Sequence, residues 1–252
     1  MPYIKILGKS SYYRQSCDFQ AGLPTVVFVH GAGGTSGNWV CQLAGIRGCN
    51  LIAPDLPGHG RSEGSAIESI TGYREFVWGF AQALELKMFY IVGHSMGGAI
   101  ALDLGLEHSE ALKGLIIIGS GARLPVSSSF LDLLSMGKHP LQIVKYSYAS
   151  TISPDILEIA TQEMKSVPIE VYQADLQACN EFNIMDRIQD INNPTLVICG
   201  QDDQMTPLKY SKHLCKELPH STIALITEAG HMAMLEQPGQ VNEAINNFLS
   251  SN

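Results

Sequence analysis

Short unbroken apolar runs alternate along the chain with stretches whose apolar residues recur at three- and four-residue spacing. Residues 26–29, 51–53, 89–92, 115–118, 195–199 and 222–226 are too short for helices, rich in β-branched residues and without polar alternation. Runs of this kind fit parallel strands covered on both faces. Residues 3–7 and 11–16 are more polar and predict an amino-terminal hairpin around Gly8 and Lys9. Between the runs, Tyr73, Phe76, Val77, Phe80, Ala81 and Leu84 mark one side of an amphipathic helix. Residues 96–106 are apolar nearly throughout and predict a buried helix; 208–218 and 241–249 predict shorter surface helices. Strands alternating with helices in this way predict an α/β domain with a mainly parallel sheet covered by helices on both faces.

The rhythm breaks between Gly121 and Gln189, where no strand-like run occurs. Residues 130–136, 154–164 and 169–179 predict three or so short helices, separated by Pro125, Pro140 and Pro168. So long a strandless stretch between two core strands predicts an insertion. The expected organisation is therefore a core of residues 1–120 and 190–252, with a helical lid at 121–189 between the sixth and seventh strands.

Composition narrows the function classes. At 252 residues the chain can bury one large core, and 45% apolar with 16% charged residues is ordinary for a globular enzyme. A net charge of −8 offers no attraction to nucleic acid or to an anionic membrane surface. The first seven residues are too short an apolar run for a signal peptide, and no stretch reaches the roughly 18 residues of a membrane helix. A cytoplasmic location is expected. Cys17, Cys41, Cys49, Cys179, Cys199 and Cys215 form no C-x-x-C pair, and reduced thiols are expected, with a Cys41–Cys49 bridge as the alternative.

Gly93-His94-Ser95-Met96-Gly97 sets a serine between an apolar strand and a helix, with small residues flanking it. A tight strand-to-helix turn strains the central residue and lifts its hydroxyl above the sheet. That hydroxyl needs a base to take its proton. Among eight histidines, His231 follows the last strand beside Gly230, and strand-end loops are where such sheets place their chemistry. His94 is held within the turn, His108 ends a helix, and His213 and His220 read as surface positions; nothing in the pattern puts His59 or His139 at a strand end. The base needs a carboxylate to fix its tautomer, and the loop after 195–199 offers Asp202 and Asp203. One oxyanion donor is expected at the amide of Met96, which follows the nucleophile and opens a helix whose dipole favours an anion.

These pieces resemble the α/β-hydrolases over essentially the whole chain. The resemblance is carried by His30-Gly31-Ala32-Gly33-Gly34 with Trp39 after it, residues 55–62 (DLPGHGRS), the Ser95 turn, residues 194–203 (PTLVICGQDD) and Gly230-His231. It implies an α/β-hydrolase fold: a mostly parallel eight-stranded sheet, helices on both faces and an inserted helical lid. The chain order Ser95, aspartate, His231 matches the family. In that family the acid stands three residues after the glycine closing the seventh strand, which is Asp203. The resemblance also implies the amide of Ala32 as second oxyanion donor, and structural roles for Asp55 and His59.

A serine hydrolase with the catalytic residues Ser95, Asp203 and His231 needs no cofactor, and no H-E-x-x-H pair suggests a metal. The expected partner is a small molecule, an uncharged ester of small to medium acyl chain, with Trp39, Phe130, Leu134, Met136 and Tyr146 as candidate contacts. By resemblance the same triad serves lactonases, thioesterases and C–C bond hydrolases, and a slow small-molecule receptor is the reading from another class.

Overall fold

The computed structural model of the chain describes residues 2–6, 8–16 and 19–251, so Met1, Leu7 and Cys17 of the sequence reading lie outside the described residues. Eight strands form one sheet: β1 (Tyr3–Ile6), β2 (Lys9–Gln15), β3 (Thr25–Val29), β4 (Asn50–Pro54), β5 (Phe89–His94), β6 (Leu112–Ile118), β7 (Thr195–Gly200) and β8 (Ser221–Ile226). Their order is β1-β2-β4-β3-β5-β6-β7-β8. The amino-terminal hairpin pairs antiparallel, with Ile6 opposite Lys9, and β2 runs antiparallel to β4; the remaining pairs are parallel.

Period-two alternation explains why the apolar runs look continuous. Val27, Val29, Ile91, Leu115, Ile117 and Val197 face one layer, built on α2 (Ile70–Ala83) and α3 (Met96–Glu107). Val26, Phe28, Val92, Ile116, Ile118 and Ile198 face the other, built on α1 (Val40–Gly45) and, near the carboxyl end, on helices 233–236 and 238–251. Both faces are dry, so neither needs a polar row.

Between β6 and β7 the described residues hold four α-helices, α4 (Ser128–Ser135), α5 (Gln142–Ser147), α6 (Pro154–Ser166) and α7 (Ile169–Glu181), and a short 3-10 turn at Ile188–Asp190. The sequence pattern anticipates α4, α6 and α7. It misses α5, whose six residues are too few to display a period. Phe130, Leu134, Ile143, Val144, Met164 and Leu176 pack together as a separate apolar cluster under these helices. After β7 come α8 (Leu208–Glu217), then beyond β8 α9 (Ala233–Glu236) and α10 (Pro238–Ser251). Cys41, Cys49, Cys179, Cys199 and Cys215 are free thiols, so the alternative Cys41–Cys49 bridge is not formed. Among the described residues no helix is long and apolar enough to cross a membrane.

Candidate active site

Ser95 stands between β5 and α3 with φ 53° and ψ −116°, a conformation that costs a non-glycine residue about 1–3 kcal/mol. Its surroundings hold it there. The Ser95 amide donates to the Ile118 carbonyl at 2.9 Å, and its own carbonyl accepts from the Ser120 hydroxyl at 2.8 Å and the Gly98 amide at 2.9 Å. The turn is possible only because its flanks lack side chains. A Cβ on Gly97 would lie 2.2 Å from the Val29 carbonyl oxygen, and one on Gly93 would lie 2.0 Å from the Gly97 oxygen.

His231 follows β8, and its Nδ1 donates to Asp203 Oδ2 at 2.9 Å. Asp203 is buried, and Oδ1 accepts from the amides of Met205 at 2.9 Å and Thr206 at 2.8 Å while Oδ2 also accepts from the Thr206 hydroxyl at 2.8 Å. Burial pushes the Asp203 carboxyl up, but the His231 ring and the Thr206 donors outweigh it and hold the pKa at about 2. With Nδ1 committed to a carboxylate, His231 keeps its proton there and leaves Nε2 as the basic nitrogen. Asp202 is exposed and merely donates its amide to the Ala229 carbonyl.

Neighbouring side chains help fix the His231 loop. His94 is buried with its pKa lowered to about 3, by desolvation first and the nearby His231 second, so it is neutral and its Nε2 donates to the His231 carbonyl at 3.0 Å. Glu236 accepts from the Gly230 amide at 2.9 Å and from the Ala149 amide at 2.8 Å, tying this loop to the helical insertion.

The loop after β3 approaches from the other side. His30 accepts the Leu56 amide on Nε2 at 3.1 Å and donates from Nδ1 to the Gly31 carbonyl at 2.9 Å. Asp55 is buried and accepts from the amides of Ser36 at 2.7 Å and Arg61 at 2.9 Å, which shapes the adjoining turn. Among the described residues, the amides of Ala32 and Met96 donate to no protein group.

Ser95, His231 and Ala32 line one cavity of about 180 Å³. Its apolar wall includes Leu124, Val126, Ile143, Met164 and Leu176, and Tyr148, Tyr172 and Thr206 add hydroxyls. No Lys or Arg lines it among the described residues, whereas Glu163 does. No group of three or more His, Cys, Asp or Glu residues is placed to hold a metal, again among the described residues.

A profile of the alpha/beta hydrolase family matches residues 26–244. The chain belongs to the alpha/beta hydrolase family. It is 28% identical over 253 residues to a 2-hydroxymuconate semialdehyde hydrolase of Pseudomonas putida, covering 91% of this chain and 88% of that protein. The structure of a thermophilic esterase superposes with a TM-score of 0.86 at 30% identity, covering 99% of this chain and 97% of that one. The enol-lactonase of Burkholderia xenovorans LB400 shares the fold with a TM-score of 0.90 at 19% identity, over 99% of this chain and all (100%) of that one.

In this alpha/beta hydrolase the five substrate contacts expected from sequence do not line the cavity. Trp39 is wholly buried against Phe28, with ring centroids 5.2 Å apart, in the layer of α1 and α10. Phe130 and Leu134 are buried in the apolar cluster under the inserted helices, behind the cavity wall. Met136 and Tyr146 point to solvent, 67% and 38% exposed. Helical apolar residues serve packing first, and the amphipathic pattern cannot say which of them borders empty space. Sequence reasoning missed Tyr172, Thr206, Met232 and the tethers His94 and Glu236. Only His94 carried a signal, its place beside Ser95.

Proposed function

We propose that the protein is a serine hydrolase that cleaves carboxylic esters of small to medium acyl chain through an acyl-enzyme intermediate. The observation that carries this reading is the strained Ser95 sharing a cavity with a histidine whose Nδ1 is held by a buried carboxylate. In the proposed reaction Ser95 Oγ attacks the acyl carbonyl while His231 Nε2 takes its proton. The amides of Ala32 and Met96 stabilise the oxyanion; a single such donor is worth about 10²–10³-fold in turnover. The imidazolium, stabilised by Asp203, protonates the departing alcohol. Water activated by His231 then releases the acid and restores Ser95.

Segment 121–189 acts as a lid whose inner face forms the acyl pocket. A cavity of about 180 Å³ is smaller than the roughly 300–1,000 Å³ of drug-sized ligand sites, which favours a short chain. Lactonase, thioesterase and C–C hydrolase activities use the same residues. One observation weighs against the last. The Pseudomonas putida relative is named for a muconate, a carboxylate substrate. Here the cavity offers such an anion Glu163 and no Lys or Arg among the described residues.

The test is turnover of p-nitrophenyl esters from acetate to decanoate beside lactones, thioesters and vinylogous diketones. Short and medium esters should dominate, and Ser95→Ala should abolish the activity. Turnover of the diketone alone would end the carboxylesterase reading, and no turnover of any class would favour a receptor.

A further inference from the structure

Asp175 is a carboxylate that the proposed reaction does not use, yet it is wholly buried within α7. It accepts hydrogen bonds from three separate pieces of the chain: the Gly33 amide at 2.8 Å, His59 Nε2 at 2.8 Å and the Tyr73 hydroxyl. A buried carboxylate is tolerated only when its oxygens are hydrogen-bonded, and these three donors reach both of them, Gly33 and His59 at Oδ2 and Tyr73 at Oδ1. His59 supplies the countercharge. Its Nδ1 faces the Pro57 carbonyl at 3.0 Å and its Nε2 faces Asp175, so both nitrogens donate, as in an imidazolium.

Gly33 directly follows Ala32, so its amide matters to the oxyanion loop. The Gly31 carbonyl accepts from His30 Nδ1 at 2.9 Å and from the Gly34 amide at 3.0 Å. In a trans peptide the N–H points opposite to the C=O, so those two bonds turn the Ala32 N–H away from His30. Among the described residues, the next peptide plane, between Ala32 and Gly33, is held by the Asp175 side chain and by no other. Gly33 has φ +63°, and a Cβ there would lie 2.2 Å from the Tyr172 ring. Tyr172 and Asp175 stand three residues apart on one side of α7. One helix of the lid therefore both covers this loop and grips its backbone.

We propose that Asp175 is a positioning residue: by gripping the Gly33 amide, the middle peptide of the Gly31–Gly34 turn, it steadies the turn whose Gly31 carbonyl bonds aim the Ala32 amide as an oxyanion donor, and it makes that donor complete only when the lid is docked. The inference rests on the serine-hydrolase reading above, with Ala32 as a donor.

Asp175→Ala, Asp175→Asn and Tyr73→Phe separate this role from plain stability. Asparagine can keep one oxygen toward Gly33 and His59 and turn its amide to Tyr73, so it restores the grip without the charge. Tyr73→Phe removes a buried donor but leaves the Gly33 bond. Each variant is read by kcat and KM on p-nitrophenyl butyrate, by labelling rate with a fluorophosphonate and by Tm. Asp175→Ala should lower kcat and labelling by about 100-fold, the size of losing one oxyanion donor, with KM within about threefold. Asp175→Asn should recover to within about tenfold of wild type, and Tyr73→Phe should lower Tm while kcat stays within about threefold.

Equal losses in Asp175→Ala and Tyr73→Phe, or an unchanged kcat in Asp175→Ala, overturn the proposal. Should Asp175→Ala fail to fold, the Gly33 amide resonance of the wild type decides: far downfield and slow to exchange supports the grip, an ordinary shift with fast exchange refutes it. A wild type that labels at Ser95 while Asp175→Ala labels equally fast defeats this inference alone. A wild type that neither labels nor turns over defeats the hydrolase reading and this one with it.

Discussion

Asp203→Asn perturbs the proposed triad in a way the hydrogen bonds dictate. Asp203 Oδ1 receives two backbone amides, from Met205 and Thr206, at 2.9 and 2.8 Å. An amide nitrogen cannot accept them, so asparagine must place its oxygen there and turn its NH2 toward His231. That NH2 donates, so His231 Nδ1 must accept, and the ring proton moves to Nε2. The nitrogen meant to take the Ser95 proton is then already protonated. A wrong tautomer of this kind costs a triad about 10⁴-fold in kcat, or about 5.5 kcal/mol in the barrier. The Thr206 hydroxyl, 3.2 Å from Nδ1, is a weaker stand-in acceptor, so we expect about 10³–10⁴-fold. The assay is kcat on p-nitrophenyl butyrate, normalised to folded protein, with Asp202→Asn alongside. The exposed Asp202 should tolerate asparagine within about twofold. Asp203→Asn retaining a tenth of wild-type kcat, or Asp202→Asn losing as much, would refute the reasoning.

Three further outcomes follow. The Asp203 pKa falls from 3.8 to about 2 on folding, so its contribution of about 2 kcal/mol is full above pH 3.8 and disappears as pH drops through 2; acid titration of stability should show this limb in wild type and not in Asp203→Asn. Esters ending in a carboxylate should be turned over with kcat/KM at least about tenfold below neutral esters of equal length, and Glu163→Gln should narrow the gap most at low salt, since Glu163 is exposed; equal rates would remove the charge argument. Trp39→Ala should destabilise the fold by about 3–5 kcal/mol in denaturant titration with ester KM unchanged in the folded fraction, and a KM shift without a stability loss would return Trp39 to the substrate pocket.

Much of the frame was legible because it depends on local pattern. The strands from β3 to β8 announce themselves as dry apolar runs, and Ser95 announces itself by the glycines that a tight turn demands. Between Asp202 and Asp203 the residues alone left the choice open. Only the family spacing chose Asp203; the structure places Asp203 buried beside His231 and leaves Asp202 exposed. The lining of the cavity beside Ser95 was not legible. Its wall draws Tyr172, Thr206 and Met232 from segments whose meeting depends on how the inserted helices dock. Asp175 did leave a trace. It interrupts the buried stripe of Val171, Tyr172, Leu176 and Cys179 on α7, and a charge in such a stripe requires partners, though nothing local says which.

The central claim is that acyl transfer passes through Ser95. Acid-quenching the protein during turnover of p-nitrophenyl butyrate, followed by intact-mass and peptide mass spectrometry, tests it most directly. The account predicts one butyryl group, on the peptide containing Ser95, and none in Ser95→Ala. Steady hydrolysis with no covalent acyl group, or an acyl group on another residue, would contradict it.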